Sequence, residues 1–396
     1  MRRCGCFVNP HGQCDFHLKE DCLLFIRLSD DLFHSFGKQH NGEPRAYYQG
    51  YCFDLHPFFL KFTSVIISQS RILLQTPYPI AIWGWPVFSL KMMLFPNLPP
   101  AMNLTLAIPS LNRQSDESVP SLTLPAFNRL LRFGHLHKQA VETSEFYGRY
   151  LWNGSLLEHA KTAANVPQQQ PTALASPLWQ QMGLHQVSVV GGEYIGIATD
   201  EADRLCRELS DFYQDEGWRF VPVRPDLWLV LLPNPQDWQI KPALDIYGQM
   251  GSSEQASGKD SGQWLAKQTE IQMWLHQHPI NNIRDQLGTP PINGLWLWHD
   301  IQGTQQSPPL FSDSPWAQFA SGHIDAPYDF RAFASWMQET GTDTAVIFMD
   351  DLAVTGSTAD VLAYQDILQD WEQRWFDPIW QALHTGRLKN LTLTTD

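Results

Sequence analysis

The chain has 396 residues, a formal net charge of −14 and 43 % hydrophobic residues, enough for two or three domains that each bury a core. Residues 1–101 are nearly balanced in charge, so the acidity belongs to the body that follows. An acidic body repels phosphate backbones and anionic lipid, which argues against nucleic-acid and membrane partners.

Residues 1–101 are the least protein-like part. Five of the six cysteines lie there, Cys4, Cys6, Cys14, Cys22 and Cys52, and no periodicity survives the prolines at 57, 77, 79, 96 and 99. Arg2-Arg3 is followed by Cys4-Gly5-Cys6 and not by the apolar run of a secretory signal. The expectation is a non-native or poorly ordered extension, with the functional protein starting at Met102. The rival is a zinc knuckle on Cys4, Cys6, Cys14 and Cys22, whose spacings match no common structural pattern.

From Met102 the chain reads as a strand through Ile108, then a short helix entered at Pro125 and ended at Gly134. More helix is expected over 135–162. The Gln, Pro and Ala composition of 163–177 reads as a linker. Next come strand-like runs at 187–190 and 194–198 around Gly191-Gly192, then a helix with Asp200 as its cap and Cys206 on its apolar stripe. A hairpin of 218–223 and 227–232 turns at Arg224-Pro225-Asp226. A lone cysteine in the body cannot form an internal disulfide there, which fits a reducing cytoplasm.

The most informative stretch is EIQMWLHQHPINNIRDQLGTPPINGLWLW, Glu270 to Trp298. Trp264, Ile271, Trp274 and Leu275 mark an amphipathic helix, which Pro279 ends while opening a second one. Gly288 closes the second helix, and Leu295–Trp298 reads as a strand covered on both faces. His276, His278, Asn281, Arg284, Asn293 and His299 gather at the break. One reading has them capping helices and holding turns. The other has Arg284 recognising an anion, with Asn281 and Asn293 orienting it and His276 and His278 nearby.

Beyond Trp298 the pattern gives a helix around 332–337, a buried strand at 345–349 ending in Asp350-Asp351, a long helix with Trp371 and Trp375 on one face, and a closing strand at 391–393. Repetition of strand, helix and strand predicts an α/β fold with a mainly parallel sheet covered by helices. The expected division is 102–165 and 262–396 as the two parts of that core, with 175–247 as an inserted small α+β domain.

The Glu270–Trp298 stretch, with SPLWQQMGLHQ (176–186) and DWEQRWFDPIWQAL (370–383), resembles RpfE-type bacterial proteins, relatives of the archaeal-type cofactor-independent phosphoglycerate mutases. The resemblance spans roughly 102–396. It implies an alkaline-phosphatase-like core, and in the working mutases two divalent metals and a phosphoryl-carrying serine. Residue by residue that equipment fails here. Ile108-Pro109-Ser110 stands where the family's first strand ends in a metal-ligating Asp-Gly. Phe348-Met349-Asp350-Asp351 stands where a later strand supplies a histidine, and no histidine occurs from 324 to 383. The resemblance therefore implies a catalytically degenerate, regulatory or accessory cytoplasmic protein without catalytic residues, metal or cofactor, binding a small anionic metabolite or a protein partner. The alternative is an active mutase or phosphatase with relocated ligands, for which Asp350-Asp351 is a candidate carboxylate pair.

Overall fold

The computed structural model describes residues 102–112, 122–182, 187–248, 256–306, 308–358 and 360–396, and before them the backbone of five short strands. Those five are β1 (Phe7–Val8) and β2 (Cys14–Asp15), which pair with each other, β3 (Leu23–Leu28), and a separate hairpin of β4 (Val65–Ser68) and β5 (Arg71–Leu74). The side chains of Cys4, Cys6, Cys14, Cys22 and Cys52 lie outside the described residues, and the zinc reading with them.

The main sheet begins with β6 (Met102–Ala107), which alternates buried and half-buried side chains before turning wholly inward. Helix α1 (Pro125–Phe133) starts on a proline, as its fixed φ favours. The expected helix over 135–162 is interrupted: β7 (His135–Gln139), α2 (Thr143–Leu151), β8 (Asn153–Ser155) and α3 (Leu156–Ala163) share that span. Gly154, at φ 77°, lets the chain turn between α2 and α3.

The expected linker at 163–177 is overturned in its second half. β9 (Thr172–Met182) is the longest strand among the described residues. One edge of β9 pairs with β12, and further along with β10, while the other pairs with β13. Alanine and serine at 173, 175 and 176 are buried, so small residues here mark crowding by neighbours and not exposure. Pro177 sits in the strand opposite Leu295.

β10 (Val187–Gly191) leads into a 3₁₀ turn and not the second strand that the sequence suggests. Helix α4 (Thr199–Phe212) is capped at Ala198, whose N–H donates to Glu201, and Asp200 lies within its first turn. β11 (Arg219–Arg224) and β12 (Leu227–Leu231) form the expected hairpin. Helices α5 (Ser261–Gln277) and α6 (Pro279–Leu287) are followed by β13 (Gly294–Trp298), with Gly288 at φ 69° ending α6. β9 to β13 make a five-stranded antiparallel sheet over its own core of Leu205, Trp218, Trp228 and Trp264.

The chain then returns through β14 (Gln302–Thr304), paired with β8, to β15 (Leu310–Ser312), β16 (His323–Ile324), α7 (Phe330–Thr340) and β17 (Thr344–Phe348). Helices α8 (Asp351–Thr358), α9 (Val361–Trp371) and α10 (Asp377–His384) precede β18 (Leu388–Thr394). The main sheet runs β16-β15-β17-β6-β18-β3-β7. Its first five strands are mutually parallel and the last two pairings antiparallel. Leu104, Ile347, Leu391 and Phe333 fill its core against Trp371 and Ile379. The fold is thus mixed α/β with a mainly parallel sheet.

Between α9 and α10 the helix widens into one π-turn, Glu372–Phe376. The buried Glu372 carboxylate accepts from the N–H groups of Ala126 and Phe127, at 2.5 and 3.1 Å. A carboxylate at the open N-terminus of α1 meets its unsatisfied donors and its positive dipole end.

Candidate functional site

Parallel strands deliver their carboxyl ends to one edge, where open α/β sheets place their ligands. Here β15 ends in Ser312 and is followed by Asp313-Ser314. Its neighbour β17 ends in Phe348 and is followed by Met349-Asp350-Asp351. The Ser312 hydroxyl donates to the Phe348 carbonyl at 3.0 Å and accepts from the Ser314 N–H at 3.1 Å, fixing the two strand ends together. A cavity of about 480 Å³ opens above them. The Gly191-Gly192-Glu193 turn after β10 forms part of its wall, as do Trp371, Arg374 and Trp375 from the helix around the π-turn.

Asp350, just past the end of β17, lines the cleft. Its carboxylate accepts from the Ser314 hydroxyl, and from the Tyr147 hydroxyl at a longer 3.4 Å. Burial pushes its pKa up to about 6, and the charges of Asp351 and Glu193 add to the rise that Ser314 opposes. Burial likewise raises the pKa of Glu193, helped by Asp226 and Asp351 and opposed by Arg224. Asp351 is raised by desolvation, with Arg374 pulling the other way. The Tyr147 phenol is held well above its ordinary range by burial and then by the Asp350 and Asp396 charges.

One arginine lines this cleft, Arg374, and a second, Arg224, stands behind Asp226 and Trp316, which line it; both are already engaged. Arg224 holds Asp226 through Nε and Nη2 at 2.5 and 3.0 Å, and its Cζ stands 4.0 Å from the centre of the Trp316 ring. Its Nη1 is buried and meets no hydrogen-bond partner among the described residues. Arg374 is bound by Asp370, donates to the Tyr328 carbonyl at 2.6 Å and lies 4.6 Å from the Tyr328 ring centre. Gly191 is required where it stands: a Cβ there would come within 2.0 Å of Tyr247 Cε1.

The two-metal equipment that the resemblance implies does not fit these residues. Among the described residues no group of three or more His, Cys, Asp or Glu is placed to hold a metal ion, and neither an imidazole nor a thiolate lines the cleft. Cys206 is buried in the core under α4, and burial raises its thiol pKa.

The residues that the sequence singled out around α6 lie away from the cleft. Arg284 is 1 % exposed and all three guanidinium nitrogens are used: Nε on the Pro290 carbonyl, Nη1 on Glu201 and Nη2 on the Ile195 carbonyl. Asn281 donates to the carbonyls of Leu275 and Ile292 and accepts from the Ile292 N–H. Asn293 makes a two-point bridge to the Gln180 backbone. His278 accepts from the Ile280 N–H through Nδ1 and meets Glu208 through Nε2 at 2.7 Å. His276 is exposed in the last turn of α5, and His299 stacks on Trp238.

Of the sequence candidates only Asp350 and Asp351 line the cleft. Tyr147, Glu193, Asp313, Ser314, Arg224 and Arg374 were not singled out. Asp313-Ser314 carries the same signal as Asp350-Asp351, a carboxylate just past an apolar run, but Leu310-Phe311 is too short to read as a strand.

No family model matches the chain, and no curated protein matches it. Among solved structures, a cofactor-independent phosphoglycerate mutase from Thermoplasma acidophilum shares 11 % identity, covering 74 % of this chain and 86 % of that one, with a TM-score of 0.27. The PH0037 protein from Pyrococcus horikoshii shares 13 % identity over 69 % of this chain and 78 % of that one, with a TM-score of 0.33.

Proposed function

We propose that this chain is a small-molecule-binding protein on a phosphoglycerate-mutase-type scaffold that has lost metal-dependent phosphotransfer, and that it acts as a regulatory or accessory protein of the cytoplasm. The observation that carries the reading is the make-up of the strand-end cleft. Phosphoryl transfer of the two-metal kind needs carboxylates and imidazoles converging on two cations, which neutralise charge as it gathers on the moving group. This cleft offers carboxylates raised by burial, one engaged arginine and no imidazole. In the same reading, the antiparallel sheet and its helices are an insertion into the parallel core that brings Glu193 and Asp226 to the cleft.

Binding of an anion at Arg284 finds less support, because a ligand would have to displace Glu201 and two backbone carbonyls. A working enzyme with relocated ligands has one observation in its favour: Asp313, Asp350 and Asp351 stand at the ends of neighbouring strands. Metal analysis of the purified protein, with an assay of 3- to 2-phosphoglycerate conversion in manganese, magnesium and zinc, separates the two. The expected result is neither stoichiometric metal nor turnover. Either one overturns the degenerate reading.

A further inference from the structure

The strand-end cleft carries more negative charge than the side chains around it answer. Five carboxylates line it: Glu193 and Asp226 come from the antiparallel sheet, and Asp313, Asp350 and Asp351 follow the ends of β15 and β17. Asp226 is held by Arg224, and the lining arginine, Arg374, is bound by Asp370. Glu193, Asp313, Asp350 and Asp351 form no ion pair among the described residues. Burial raises the pKa of Glu193, Asp350 and Asp351, and the charges of neighbouring carboxylates raise each one further. Like charges this close in a partly desolvated space repel, so an anionic ligand is disfavoured and a cation is drawn in.

The cavity itself chooses among cations. No group of three or more His, Cys, Asp or Glu among the described residues is placed to hold a metal ion. At about 480 Å³ the space is that of a small-molecule site and far larger than an ion. Leu244, Tyr247, Trp316 and Tyr328 share its lining with the carboxylates and give a carbon chain apolar surface to lie on. The acceptors are also short of donors. Both hydroxyls that reach Asp350 end on Oδ2, so no side-chain donor among the described residues reaches Oδ1. Glu193 and Asp351 accept no hydrogen bond from another of the described residues. An ammonium brings three donors, no acceptor and a positive charge, and its bond to a carboxylate is charge-assisted. A neutral hydroxyl fills the same acceptors but leaves their charge standing.

Resting on the reading of this cleft as a small-molecule site, we propose that its ligand is an aliphatic diamine or polyamine. Its ammonium groups meet Glu193 from the antiparallel sheet and Asp313, Asp350 and Asp351 from the parallel one, while its methylene chain lies along the Trp316 and Tyr328 rings. A single ammonium leaves most of the carboxylate charge unanswered. Two or more, spaced by carbon, reach both sources of it.

The test titrates the full chain with putrescine and spermidine by isothermal calorimetry, with 3-phosphoglycerate as the anion and myo-inositol as the neutral polyol. Salt at about 150 mM screens the diffuse attraction of any amine to a chain of net charge −14. At least one of the two amines should bind saturably at one site per chain. Glu193→Gln and Asp351→Asn, both at exposed positions, should each weaken that binding about fivefold. Glu339→Gln, at an exposed position on α7 outside the cleft, should leave it unchanged. Amine binding that Glu193→Gln and Asp351→Asn leave unchanged, or that Glu339→Gln weakens equally, belongs to the surface at large and overturns the proposal. Binding of 3-phosphoglycerate or myo-inositol without either amine overturns the ligand class and leaves the binding-cleft reading standing. No binding by any probe at about 10 mM also overturns it. The degenerate reading fails separately, on stoichiometric metal or turnover.

Discussion

Replacing Asp350 by asparagine should make the protein more stable at neutral pH. Burial beside Glu193 and Asp351 pushes the carboxyl pKa from its ordinary 3.8 up to about 6. A carboxyl whose pKa is higher folded than unfolded holds its proton more tightly in the native state. Its stabilising contribution is whole below about pH 4 and is lost as pH rises through about 6. The gap between the two values corresponds to at most about 3 kcal/mol, and solvent relaxation in an open cleft reduces it. Asparagine keeps an oxygen to accept from the Ser314 hydroxyl but never ionises. Urea unfolding followed by tryptophan fluorescence should show the variant about 1–3 kcal/mol more stable above about pH 7, with the gap closing toward about pH 4. A gap independent of pH, or a variant less stable than the parent at about pH 8, would refute the argument.

Gly191→Ala should cost about 1–3 kcal/mol in chemical denaturation, because the new Cβ meets the half-buried Tyr247 ring 2.0 Å away. Arg284→Ala should lower stability by about 3–5 kcal/mol, stranding Glu201 and two carbonyls; the same substitution leaving the melting temperature unchanged would show the arginine to be spare. Glu372→Ala removes both acceptors at the start of α1 and should cost about 1–2 kcal/mol by the same measurement, with amide exchange of Ala126 and Phe127 accelerated.

Elements with strong local chemistry were readable in the sequence. The α5–α6 break follows from Pro279 and Gly288, and β17 from an unbroken apolar run. β9 was not, because its small residues and Pro177 look like a linker until three partner strands explain them. The candidate site was legible only at Asp350 and Asp351. The rest of it joins residues from Tyr147 to Arg374 across two sheets and a helix, and no local pattern signals that Glu193 will face Asp350. Conversely, the polar cluster around Arg284 was conspicuous because a sharp chain reversal needs many hydrogen bonds, the very use to which the structure puts it.

The π-turn at Glu372–Phe376 means that this helix carries one residue beyond what its length requires. Each residue advances an α-helix by about 100°, so the excess sets the phase of everything downstream. Trimming a single amino acid there would swing Ile379 and Ala382 away from the core they now fill, out of phase with Arg374 on the cleft wall. A lone surplus residue thus keeps the packing half of the helix and its cleft-facing half in step.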